Sequence, residues 1–68
     1  MVDSKKLRGK IAEAGMTKTK FARCIGMTYN SLASKMNGDS PFKVSEASEI
    51  AVLLNLTDEE IVSIFFAR

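Results

Sequence analysis

The 68-residue sequence predicts an all-α fold, a compact bundle of five short helices forming one domain over residues 1–68. Three observations carry this expectation. Capping residues recur five times, each ahead of a run of helix-forming residues. Apolar residues between the caps repeat at three- and four-residue spacing. No segment alternates apolar and polar residues as a half-buried strand does.

The first helix is expected to start at Asp3 or Ser4, run to about Ala14 and stop at Gly15, with Leu7, Ile11 and Ala14 inward. Thr17 starts the second, which ends near Ile25 with Gly26 beyond it and buries Phe21, Ala22 and Ile25. Thr28 starts the third, which ends near Asn37 before Gly38 and buries Leu32 and Met36. Gly38-Asp39-Ser40-Pro41 reads as the clearest loop, because Gly and Pro interrupt helices. Ser45 is the expected cap of the fourth helix, which runs to Leu54 or Asn55 with Ala47, Ile50, Ala51 and Leu54 inward. Thr57 starts the fifth, over 58–66, with Ile61, Ile64 and Phe65 inward.

Four caps are bracketed by apolar pairs at staple spacing: Val2/Leu7, Met16/Phe21, Met27/Leu32 and Leu56/Ile61. Thr57 and Glu60 form a capping box, and Asp58 and Glu59 suit the positive end of the helix dipole. No internal repeat and no low-complexity tract is evident.

Composition narrows the function classes. The apolar fraction of 46% and charged fraction of 26% are those of a globular domain. No apolar run approaches the roughly 18 residues of a membrane span. The first residues are charged and amphipathic, unlike a signal peptide, so a cytoplasmic protein is expected, with no membrane partner. A single cysteine, Cys24, and the absence of histidine leave no internal disulfide, no His/Cys zinc site and no Ser–His or Cys–His pair. A chain this short is expected hardly to enclose a substrate pocket of the usual few hundred Å³. No catalytic residue, metal or cofactor is assigned, and an enzyme is the poorest reading.

Charge is divided along the chain. Residues 1–43 carry nine basic and three acidic side chains, whereas residues 44–68 carry one basic and five acidic. The basic part suits phosphates, and the acidic part suits solvent or another protein. Lys5, Lys6 and Lys10 read as a solvated face.

Helices two and three are short and joined by Gly26-Met27-Thr28, the layout of a helix-turn-helix over residues 17–37. The register Thr17, Phe21-Ala22, Ile25-Gly26, Thr28, Leu32, Asn37-Gly38 resembles the repressor/Cro helix-turn-helix family. Phe21 stands where that family usually has Leu. The resemblance implies a lambda-repressor-like DNA-binding bundle whose third helix enters the major groove of an operator. Thr28, Tyr29, Asn30, Ala33 and Ser34 are then the base-facing residues. Asn30 can bond adenine bidentately, and Ala33 can touch a thymine methyl. Lys18, where the family usually has Gln, and Asn37 are the implied phosphate contacts. The third helix has no arginine, the commonest base reader, and Lys35 sits where relatives are often apolar; its ammonium can reach a phosphate.

More narrowly, Ser4 to Ile11, Phe42 to Glu46 and Asp58 to Ile61 with Phe65-Phe66 resemble small phage proteins of the lysogeny switch, Cro-like or antirepressor in role. The resemblance implies a transcriptional repressor in a bacterial cell, on nucleoid DNA. The alternative is a modulator that binds a phage repressor protein and blocks its DNA binding. Val62, Phe65 and Phe66 exceed the single apolar stripe a core needs, so the last helix is a candidate partner surface, for a homodimer or for such a repressor.

Overall fold

The computed structural model describes residues 2–67 as five α-helices: α1 Ser4–Glu13, α2 Lys18–Cys24, α3 Tyr29–Met36, α4 Val44–Leu53 and α5 Asp58–Phe65. There is no strand among the described residues. No helix there is long and apolar enough to cross a membrane. The radius of gyration is 10.6 Å, against about 11 Å for a folded chain of this length.

Local chemistry sets the helix starts. Asp3, Thr17, Thr28 and Thr57 each accept, through a side-chain oxygen, the backbone N–H three residues ahead at 3.1 Å. Each bond satisfies one of the N–H groups that a helix start leaves without a partner. The residues before these caps, Val2, Met16, Met27 and Leu56, pack against the core as staples.

The fourth start departs from expectation. Ser45 is not the cap; α4 begins at Val44, with Lys43 at the N-cap position. A lysine ammonium carries only donors, so it cannot cap. The Glu46 carboxylate instead accepts the Lys43 N–H at 2.8 Å, and Phe42 and Ala47 hold the staple positions against the core. A staple and half a capping box outweigh the serine.

Three of the four connections share one design: Ala14-Gly15-Met16-Thr17, Ile25-Gly26-Met27-Thr28 and Leu54-Asn55-Leu56-Thr57. After α2, the Met27 N–H donates to the Ala22 carbonyl at 2.8 Å and Gly26 to Arg23 at 3.2 Å. After α4, Leu56 donates to Ala51 at 2.9 Å and Asn55 to Val52 at 3.2 Å. Both are Schellman closures, which need a left-handed residue; Gly26 has φ 71° and Asn55 φ 53°. The apolar residue that ends one helix staples the next, so a single side chain serves both ends of the link.

The core joins Leu7 and Ile11 of α1, Phe21 and Ala22 of α2, Ile25, Leu32 and Met36 of α3, Ile50 of α4, and Ile64 and Phe65 of α5. No charged or polar residue is buried among the described residues. Ala14, expected to face inward, is exposed at the α1 C-cap. Lys6 and Lys10, expected to be solvated, instead join α1 to α5. Lys6 Nζ donates to Ser63 Oγ at 2.9 Å, and Lys10 pairs with Glu60. The Asp3 N–H donates to the Ile64 carbonyl at 2.7 Å beside them.

Candidate nucleic-acid interface

The candidate interface is built from α2, the Ile25–Thr28 link and α3, and α2 and α3 form the most extensively packed helix pair. Phe21 and Ala22 turn the inner side of α2 to the core, and Leu32 and Met36 do the same for α3. The two helices contain no acidic residue. The same holds for the whole stretch from 14 to 38, a signal legible in the sequence.

Thr28 is exposed, but its Oγ1 already accepts the Ser31 N–H, so its role at the surface is to cap α3. Tyr29 is 46% exposed, and Asn30 beside it is also exposed, with no side-chain hydrogen bond among the described residues. Both belong to the first turn of α3, where they are free to meet a ligand. Ala33 and Ser34 are half-buried. The Ser34 hydroxyl lies 3.2 Å from that of Ser40, which ties α3 to the following loop and engages a group expected to read bases. Asn37 is exposed at the C-cap.

The cations divide differently from expectation. Lys18 is half-buried at the start of α2, on the side of Phe21 and Ala22. Lys20 and Arg23, three residues apart on the opposite side, are exposed and make no ion pair among the described residues. Their helical spacing away from Phe21 and Ala22 could have identified them in the sequence. Lys35, expected to reach a phosphate, donates to both Glu46 oxygens at 2.7 and 2.6 Å. Burial works to raise the Glu46 carboxyl, but the Lys35 ammonium and the Lys43 N–H outweigh it and hold it below the ordinary carboxylate range. The uncompensated positive charge of this region therefore belongs to α2.

The second candidate surface also changes. Val62 and Phe66 are 58% and 68% exposed. Phe65 is buried, its ring edge-on to Phe42 at a centroid distance of 5.6 Å, so it belongs to the core and reaches the surface only as lining of the groove beside it. One helical step separates Phe65 from Phe66, enough to turn one inward and the other outward. Beside Phe66 an open groove of about 610 Å³ runs between α5, the 38–43 loop and α4. Its lining includes Lys35 and Lys43 and no carboxylate. Among the described residues no group of three or more Cys, Asp or Glu side chains could hold a metal ion.

The model of the family described as "Protein of unknown function (DUF739)" matches residues 1–68. The chain belongs to that family. The match spans all five helices, so α2, α3 and the groove all lie within the DUF739 unit. No curated protein matches the chain. The DUF739 description names no ligand or partner.

Proposed function

We propose that this protein is a sequence-specific DNA-binding regulator of transcription, a Cro-like repressor acting on nucleoid DNA in the bacterial cytoplasm. In this reading α2 and α3 form a helix-turn-helix, and the first turn of α3 enters the major groove, which is wide enough to admit a helix. One observation carries the proposal: an acid-free helix pair offers Tyr29 and Asn30 exposed at the start of α3 and Lys20 and Arg23 exposed on α2. Asn30 suits bidentate bonding to adenine, and the two cations suit phosphates. The reading is of a binding protein and assigns no catalytic step.

The test is a titration of labelled DNA from the protein's own upstream region at two salt concentrations. Selective binding that weakens steeply with salt supports the proposal. Binding equal on operator and random DNA, unaltered in Asn30→Ala, overturns it.

The exposed Val62 and Phe66 favour a second reading, a modulator that binds a phage repressor protein. It predicts that adding this protein dissolves the repressor's own DNA complex while this protein alone binds DNA weakly.

A further inference from the structure

We propose that the groove between α4, α5 and the 38–43 loop is a binding site for a small amphipathic acid, a molecule with an apolar body and a single carboxylate. The groove holds about 610 Å³, within the roughly 300–1,000 Å³ that small-molecule sites occupy. Its lining is mostly apolar: Phe42, Ala47, Ile61 and Phe65 are sheltered, and Val44 and Phe66 are exposed beside them. Its walls are fixed without a ligand. The Phe42 ring stands edge-on to Phe65, Lys35 is bound to Glu46 across α3 and α4, and the Ser34 and Ser40 hydroxyls tie the loop to α3. A concave, preformed and largely apolar space with few polar groups is the usual form of a small-molecule site.

Charge identifies the occupant. Two cations, Lys35 and Lys43, line the groove, and among the described residues no carboxylate does. Lys35 is already neutralised by both oxygens of Glu46. Lys43 is exposed and makes no ion pair among the described residues. The groove therefore joins an apolar surface to one uncompensated positive charge. A ligand that lays hydrocarbon against Phe65 and Ile61 and brings one carboxylate to the Lys43 ammonium answers both features. A cation is repelled, and a neutral hydrocarbon leaves the ammonium without a partner. A phosphate, with close to two charges, would leave one of them unmet beside apolar side chains. The inference does not depend on the DNA reading.

The test is a titration of the full chain with octanoate, followed by amide chemical shifts, with octanol and octylammonium as the neutral and cationic counterparts. Octanoate is expected to bind one to one with a Kd of about 1 mM or tighter, and the shifts should concentrate at residues 42–47 and 61–66. Lys43→Met should weaken octanoate about fivefold and leave octanol unchanged, and Lys43→Arg should restore the affinity. Val44→Glu, at an exposed position, sets a carboxylate at the groove; it should weaken octanoate by at least about fivefold and favour octylammonium. Far-UV circular dichroism checks that each variant is folded. Octanol or octylammonium binding the wild type as tightly as octanoate overturns the proposal. So does the absence of saturation by about 10 mM, or shifts spread over α1 and α2. If octanoate is inert and the repressor protein moves the same amides, the groove belongs to that protein and the proposal falls. Each of these outcomes leaves the Asn30 test of DNA selectivity untouched.

Discussion

The Lys35 ammonium lies between both carboxylate oxygens of Glu46, at 2.7 and 2.6 Å, and the same carboxylate accepts the Lys43 N–H that opens α4. One acid therefore fastens the end of α3 to the start of α4 across the only long connection of the bundle. It also removes the single cation of α3 from any outside ligand. The side chains are 13% and 18% exposed, sheltered enough for the pair to hold its geometry.

Glu46→Ala removes three hydrogen bonds to a charged group and leaves the Lys35 ammonium half-buried without its partner. The expected loss of unfolding free energy is about 2 kcal/mol, measured by urea denaturation. Replacing both partners, Lys35→Met with Glu46→Gln, should cost less than Glu46→Ala alone. The reverse order would show that the pair does not act as a unit.

Stability should fall in acid. The Lys35 ammonium and Lys43 N–H hold Glu46 low against the opposing effect of burial, while the Lys10 hydrogen bond and the Thr57 N–H hold Glu60 low. Both folded values lie below the unfolded one of 4.5, so protonation favours the unfolded chain. The contribution is fully present above that value and is lost as pH falls through the depressed values. Thermal melts from neutral pH downwards should show a falling Tm in this window, with a shallower fall in Glu46→Gln. A flat profile contradicts the assignment.

Gly26 and Asn55 occupy equivalent left-handed positions after α2 and α4, at φ 71° and 53°. Gly26→Ala should destabilise by about 1–2 kcal/mol, because a Cβ is strained there however open the surroundings. Asn55→Gly should be neutral to slightly stabilising. Equal effects at the two positions would refute the shared link design.

Phe21 is completely buried at the centre of the core. Phe21→Ala should cost about 3–5 kcal/mol, close to the whole stability of a domain this small. The purified variant is expected to lack a cooperative thermal transition.

For DNA, the two kinds of contact should separate. Asn30→Ala should cost about 1–3 kcal/mol on the operator and little on random DNA. Lys20→Ala and Arg23→Ala should weaken both alike, and each should lower the salt slope by about one. Lys35→Ala should leave the slope unchanged, since its charge is already met by Glu46.

The sequence by itself determined the all-α class, four of the five helix starts and nearly all of the core. Caps, staples and Schellman closures are contacts between residues a few positions apart, and helical periodicity selects the inward side chains. Even the misplaced fourth start was legible in Phe42, Glu46 and Ala47, once staple spacing is given more weight than a lone serine. Tyr29 and Asn30 were singled out by the resemblance to the repressor/Cro register, and the structure exposes both. Only the tertiary structure decided how the charges are spent. Lys10 finds Glu60, Lys6 finds Ser63 and Lys35 finds Glu46 because docked helices bring distant residues together. Helical periodicity already turned Phe65 inward, but only the docked bundle brings its ring edge-on to Phe42, from another part of the chain.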